Sequence, residues 1–268
     1  MKVWFILTGA VLSNGRENLV LVPDVLKSLQ YRHYDIIMAF FVAVLIASNV
    51  ASSAKIVDLG ITFSAFWSIS PVHLAFDGGT LLFPVAYIFG DVLTEVYGFK
   101  ASRRVIWTGF IALAVTSLLF FILSSLPGDA AWEQYAGTAA YNAILGGMSS
   151  GGIALASLSA YLIGEFSNSV ILSRLKVLMK GRAFWVRAIG SSLVGELLDS
   201  LTFVFVASAA GVFAWELFLT LVLTNYILKV FIESILFPFT FLAVRKLKKA
   251  EGIDTFDVGV KFNPFMWK

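Results

Sequence analysis

The sequence contains no cysteine and only two histidines in 268 residues. Disulfides and thiolate metal sites are therefore excluded. His-Glu-x-x-His and Gly-x-Ser-x-Gly are both missing, which speaks against an intramembrane enzyme. Gly-x-x-x-x-Gly-Lys-Ser/Thr is missing too, so the chain does not hydrolyse ATP through a P-loop. Charge is scarce: Asp, Glu, Lys and Arg make up 14% of the residues, against about 25% in soluble domains. The longest polar stretch is the C-terminal tail, which leaves no soluble domain of any size. The ten-residue alternating segments of a membrane β-barrel are absent as well. No metal and no cofactor is expected.

What is present is apolar length. Hydrophobic residues make up 59% and the mean hydropathy is +0.86. Several mostly apolar runs reach 18 residues or more, the length that crosses about 30 Å of hydrocarbon at 1.5 Å per residue. The expected fold class is all-α, a polytopic membrane protein with six transmembrane helices. The helices are read at 35–57, 81–97, 105–126, 148–172, 184–209 and 215–244. Residues 1–34 read as a cytoplasmic or interfacial leader. Residues 35–247 read as the transporter domain and 248–268 as a cytoplasmic tail. In the leader, Val3–Leu12 is apolar but too short to span, and no clean cleavage site follows it.

The basic residues fix the orientation. Eighteen of the twenty lie on alternating connections: the segment before the first helix, the second and fourth loops, and the tail. The first, third and fifth loops carry none, and Lys55 and Lys229 lie inside helices. The positive-inside rule then puts both termini in the cytoplasm. The first outer loop, 58–80, alternates weakly and holds a turn signal at Phe76–Thr80, so a short hairpin or re-entrant cap is expected there. Residues 132–145 form an amphipathic stretch suited to the interface. His73 reads as an ordinary loop histidine, and Lys55 as a lysine that snorkels from the end of its helix.

Acids inside such helices cost roughly 2.5–3.5 kcal/mol each on insertion scales, and this chain carries several. Asp91 and Glu95 share one face of the second helix; Glu165 lies in the fourth, Glu196 and Asp199 in the fifth, and Glu233 in the sixth. Asn49, Asn168 and Asn225 add amides, and Lys229 adds an amine. Asp91 precedes Lys100 by nine residues, Glu165 precedes Arg174 by nine, and Glu196 follows Arg187 by nine. All three therefore lie roughly 13 Å above the cytoplasmic interface, near the bilayer midplane. Each is preceded by glycine: Gly90, Gly164 and Gly195. Asn225, Lys229 and Glu233 recur at i, i+4 and i+8 and line one face. Any single acid could pair with Lys229 merely to hold the bundle, but six acids in the helices, most at one depth, favour a wet polar cavity. Asn49 could face that cavity or bond a neighbouring helix. Tyr87, Phe166 and Tyr226 adjoin the polar face and could stack on a planar ligand. Carboxylates and amides suit a neutral or cationic ligand rich in N–H donors, such as a purine-like heterocycle.

Gly79-Thr-Leu-Leu-Phe-Pro-Val-Ala-Tyr-Ile-Phe-Gly-Asp91, then Val-Leu-Thr-Glu-Val-Tyr-Gly98 and Arg103-Arg104, resemble the signature of the queuosine precursor transporter family, also called vitamin uptake-like. Gly195-Glu-Leu-Leu-Asp199, Asp254-Thr-Phe-Asp257 and Phe262-Asn-Pro-Phe265 are similar to that family too. The resemblance spans roughly residues 35–265; the leader falls outside it. It implies a six-helix importer in the bacterial inner membrane. Its substrates would be 7-cyano-7-deazaguanine (preQ0) and 7-aminomethyl-7-deazaguanine (preQ1), precursors of the queuosine of tRNA. The partners implied are a small-molecule base and the lipid bilayer, not nucleic acid; a homodimer stays open. The candidate substrate-binding residues are Asn49, Asp91, Glu95, Glu165, Asn168, Glu196, Asp199, Asn225, Lys229 and Glu233. Glu95, one turn nearer the cytoplasm than Asp91, could instead be an inner gate or a proton site. The alternative is the substrate-binding subunit of an energy-coupling-factor vitamin importer. Proton coupling and facilitated uptake driven by trapping of the substrate are both compatible.

Overall fold

The computed structural model describes residues 31–63 and 72–266. Most of the leader, the tip of the first outer loop and residues 267–268 lie outside the described residues. The described chain runs α1 (Tyr34–Ala54), β1 (Ile56–Phe63), β2 (Val72–Asp77), a short 3-10 turn (Gly78–Leu81), α2 (Phe83–Tyr97) and α3 (Phe99–Ser124). It continues with α4 (Ala130–Tyr135), α5 (Gly137–Ser149), α6 (Gly151–Leu178), α7 (Phe184–Ala209), a second 3-10 turn (Trp215–Leu217) and α8 (Phe218–Glu251). Six helical segments are long and apolar enough to cross a membrane; α5 and α6 together form the fourth.

Each boundary has a local cause. Pro84 in the first turn of α2 has the fixed φ a helix start needs and lacks an N–H that would go unpaired. Asp129 caps α4 by accepting from the Ala131 and Trp132 amides at 2.9 and 3.2 Å. At Ser150 the backbone turns extended, with ψ 126°, and separates α5 from α6. β1 and β2 pair antiparallel, from Ile56 opposite Asp77 to Phe63 opposite Val72, with an irregularity between Asp58 and Thr62. Of the hairpin or re-entrant cap expected over 58–80, two paired antiparallel strands are present, and the segment between them lies outside the described residues. The stretch expected at the interface, 132–145, is helical in α4 and α5, and its α5 part belongs to the fourth apolar segment, which starts at Gly137 rather than Met148.

Some helices extend beyond the sequence-derived limits. α3 starts at Phe99 rather than Val105, and α6 ends at Leu178 rather than Leu172. α8 runs to Glu251, four residues past the limit drawn for the transporter domain. These extra turns carry the basic residues Lys100, Arg103, Arg104, Arg174, Lys176, Lys248 and Lys249, so the charges that mark the interface are helical.

The bundle has an apolar exterior and a partly polar interior. Ile227, Phe231, Ile235 and Phe239 recur every four residues along α8 and are more than half exposed. Lys229 and Glu233, two residues out of step and so on the opposite face, are buried. An exposed apolar stripe against a buried polar one is the pattern of a helix with lipid on one side and a polar bundle interior on the other. The apolar core (Phe41, Leu45, Leu93, Val96, Phe99, Ile106, Leu172) lies between α1, α2, α3 and α6.

Candidate functional site

The glycines before the acids permit the central helices to meet. A Cβ on Gly90 would fall 2.7 Å from Glu165 Oε2, and one on Gly195 would fall 2.9 Å from Asn168 Cβ. One on Gly164 would fall 2.8 Å from Asp199 Cβ and 3.2 Å from the Gly195 carbonyl. α2, α6 and α7 thus approach at one level with a side chain missing at each contact.

A narrow, partly open cleft lies beside this crossing. Glu165, Asp199, Asn49, Asn225 and Lys229 supply its polar wall. Phe83, Tyr87, Tyr161 and Phe203 supply aromatic faces. Lys229 Nζ donates to Asp199 Oδ2 and lies 3.7 Å from Glu196 Oε2. The same ammonium stands over the Phe83 ring, 5.2 Å from its centroid. Glu165 is buried, and its Oε2 has no hydrogen-bond partner among the described residues; the same holds for the Tyr87 hydroxyl. A carboxyl oxygen and a phenol in that state are expensive unless a ligand satisfies them. Asn49 donates to the Leu45 carbonyl of its own helix at 2.9 Å, so its Oδ1 is the end left to recognise a ligand.

The other candidates lie elsewhere. Asp91 accepts from Asn168 Nδ2 at 2.8 Å, a buried pair outside the cavity wall. One turn further toward the C-terminal end of α2, Thr94, Ser102 and Ser169 form a closed hydroxyl triangle with sides of 2.9, 2.9 and 3.0 Å. Beyond it Glu95 takes two bonds from Arg187, at 2.6 and 3.1 Å, and one from Lys248 at 2.6 Å, with Lys176 at 3.6 Å. All of Glu95's charge is thus spent on cations of α6, α7 and α8. Glu233 lies at a small crevice between α7 and α8, and the Ser192 hydroxyl donates to it. Of the aromatics singled out, Tyr87 lines the cavity, Phe166 packs toward Trp107 with centroids 6.1 Å apart, and Tyr226 is not in the wall.

The C-terminal segment is the part of this arrangement that spacing arguments missed. Residues 252–266 cross the ends of α2, α3 and α6. Asp254 Oδ1 accepts from Lys248 at 2.8 Å and from Lys176 at 2.5 Å. Asp257 accepts from the Phe99 amide at 2.8 Å and from Ser173 Oγ at 2.6 Å. The Thr255 amide donates to Val96 O at 3.3 Å, Arg103 donates to Asn263 O at 2.9 Å, and Trp107 Nε1 donates to Pro264 O at 2.8 Å. Burial pushes the Asp254 carboxyl up, but the two lysines outweigh it and hold it below the usual carboxylate range. The Asp254–Asp257 and Phe262–Phe265 motifs were the available signal, but nothing in them names the helices they bind.

Residues 77–243 match a family model described as "Putative vitamin uptake transporter". The chain is 27% identical over 161 residues to the queuosine precursor transporter of Escherichia coli (strain K12), covering 59% of this chain and 68% of that one. It is 22% identical over 219 residues to a probable queuosine precursor transporter of Haemophilus influenzae, covering 81% and 88%. A third relative, a probable queuosine precursor transporter of Bacillus subtilis, is 27% identical over 175 residues, covering 65% and 73%. No solved structure matches the chain.

Proposed function

The chain belongs to the vitamin uptake transporter family, and from that premise we propose that it imports queuosine precursors, namely the 7-deazaguanine bases preQ0 and preQ1. It is a multi-pass bacterial membrane protein. The observation that carries the proposal is the cavity wall, in which a buried carboxyl oxygen and a phenol without hydrogen-bond partners among the described residues stand beside aromatic rings. A 7-deazaguanine offers N1–H and an exocyclic amine side by side, the pattern a carboxylate accepts. Glu165 is the group to receive them. Phe83, Phe203 and Tyr161 would stack on the flat base. Asn49 and Asn225 would read its remaining edges, and Asp199 would accept the ammonium of preQ1 in competition with Lys229. In this reading Asp91 and Asn168 form the floor of the site, and Glu95 holds the inner closure.

Both termini are cytoplasmic in this proposal, because the basic helix ends and the basic tail gather at one end of the bundle. Residues 35–247 then make the transporter domain, and the tail straps its cytoplasmic mouth. The test is uptake of labelled preQ0 by cells carrying Glu165→Gln, Asp199→Asn or Asn225→Ala at equal expression. Losing one charge-assisted hydrogen bond removes about 1.5–3 kcal/mol. For Glu165→Gln this is a rise in KM of about 13- to 160-fold. Near-normal uptake by all three variants would overturn the assignment. Transport by the purified chain alone in liposomes would exclude a need for a separate energising module.

A further inference from the structure

Only Phe83, Val85, Ile88 and Phe89 of the central helix α2 are not buried. The last three, with Val92, form the floor of a groove in the outer wall of the bundle. α1 and α8 both pack on α2 but hardly on each other, and the groove is the gap between them. It holds about 480 Å³, within the roughly 300–1,000 Å³ of small-molecule sites. It shares no wall residue with the substrate cleft. On α8 the wall runs from Leu236 to Ala250, about 21 Å of helix. The α8 positions, Leu236, Phe239, Ala243, Lys246, Leu247 and Ala250, make one stripe about 100° wide. Lys246 is the one charge on that stripe, and it lies near the strap end.

The charges at that end are divided unevenly. Glu251 ties α8 to the start of α1: it accepts from the Arg32 and His33 amides at 2.9 and 2.7 Å and from the Tyr97 hydroxyl at 2.9 Å, with His33 Nδ1 at 3.0 Å. Its side chain is buried and its carboxylate is engaged by these groups. Asp35 lies two residues from both His33 and Ile37, on another face of α1. Lys176 and Lys248 are held by Glu95 and Asp254. Lys246 is exposed and has no carboxylate partner among the described residues.

An apolar groove offers water no hydrogen bonds, and a wall left uncovered forfeits its dispersion contacts. In a bilayer the filler at hand is an acyl chain. A chain lying along this stripe brings its headgroup to the end where Lys246 stands, and basic residues at that level attract anionic headgroups. We propose that the gap between α1 and α8 binds one anionic phospholipid of the strap-side leaflet, with an acyl chain on Val85, Ile88 and Phe89 and the phosphate on Lys246. The lipid completes the wall that α1 and α8 leave open over α2. A zwitterionic lipid offers the same chain, but its own ammonium competes with Lys246 for the phosphate. Inorganic phosphate offers the charge without the chain.

The test is native mass spectrometry of the full chain, purified in detergent and offered equal amounts of dioleoyl phosphatidylglycerol and dioleoyl phosphatidylcholine. Wild type should retain one phosphatidylglycerol, about fivefold more often than phosphatidylcholine. Lys246→Ala should bring that ratio to about one. Arg245→Ala, which removes a charge on the side of α8 away from the groove, should leave it unchanged. Ala243→Trp, which fills the groove, should remove both lipids while the melting temperature in lipid-free detergent stays close to wild type. Inorganic phosphate should not displace the lipid. Equal retention of the two lipids by wild type, a ratio unchanged in Lys246→Ala or equally lowered in Arg245→Ala, displacement by phosphate, or lipid retained by Ala243→Trp overturns the proposal. So does a wild type that retains no lipid, the result expected if the chain itself fills the groove. A dimer that Ala243→Trp dissociates also overturns it, by placing a second copy there. If Ala243→Trp does not fold, Lys246→Ala against Arg245→Ala decides.

Discussion

At Gly98 the backbone adopts φ +83°, ψ 171°, a region open essentially to glycine. A Cβ there would fall 2.7 Å from Thr255 Cγ2 and 2.9 Å from Asp257 Oδ1. The glycine that ends the Tyr97-Gly98 motif thus serves two needs, a reversal between α2 and α3 and room for the tail to approach. Gly98→Ala should cost about 1–3 kcal/mol in backbone strain alone, lowering the melting temperature of the detergent-purified protein by several degrees. An unchanged melting temperature would show that the segment can relax. Glu95 shows where residue-scale reading stops. Its position four residues after Asp91 puts both acids on one face, which is legible in the sequence. Its partners are not, because Lys176 stands 81 residues away and Lys248 stands 153 away. Breaking a buried pair of this kind typically costs about 3–5 kcal/mol.

The strap is the element whose role was least legible. Two motifs that look unrelated in the chain, Thr94–Gly98 and Asp254–Asp257, are one joint in space: Asp257 accepts the Phe99 amide at the start of α3, and Thr255 donates to Val96 O. A carboxylate at a helix N-terminus stabilises that end. This is why α3 begins six residues earlier than its apolar run suggests. Helix α7 was legible to the residue, at Phe184–Ala209, because a basic connection precedes it and a glycine follows it closely. The end of α6 was not, because the buried Lys176 reads as a loop charge until Asp254 and Glu95 are seen beside it. Asp254 also sets the acid limit of the strap. Its carboxyl titrates lower in the folded chain than in the unfolded one, whose value is about 3.9. Its stabilising contribution is therefore complete above that value and is lost only as pH falls through the depressed one. Docking should hold constant from neutral pH down to mild acid. Asp254 is half exposed, so its pairs are worth about 1 kcal/mol at most. Asp254→Asn should then speed amide exchange at Thr255 about fivefold at neutral pH, measured by hydrogen–deuterium exchange. No change in that rate would show that the strap is held without the Asp254 pairs, by Asp257, Arg103 and Trp107.

Across the whole molecule, the nine-residue offsets gave depth but not direction. Depth alone groups Asp91, Glu165 and Glu196 in one layer. The fold turns Glu165 into the cavity wall, Asp91 toward Asn168, and Glu196 toward Lys229, because rotation about each helix axis is set by neighbours that spacing does not encode. The resulting order along the bundle is asymmetric. The cavity-lining residues lie in the N-terminal halves of α2 and α8, from the N-terminal half to the middle of α6, and in the C-terminal halves of α1 and α7, the half that carries the hairpin. The strap half is closed by the Asp91–Asn168 pair, the Thr94–Ser102–Ser169 triangle and the Glu95 cluster in succession. The polar cleft therefore sits in the hairpin half of the bundle, and the absence of cysteine makes access to it directly testable. A single cysteine at Ser157, in the cavity wall, should react with a membrane-impermeant maleimide added outside intact cells. One at Ser169, in the triangle, should stay unlabelled. preQ0 at 100 times its Kd leaves about 1% of cavities empty and should slow labelling of Ser157→Cys about 100-fold. Labelling at Ser169→Cys as fast as at Ser157→Cys would show that the hydroxyl triangle does not seal the path. Labelling of Ser157→Cys only from the cytoplasmic face would reverse the orientation in which both termini lie inside.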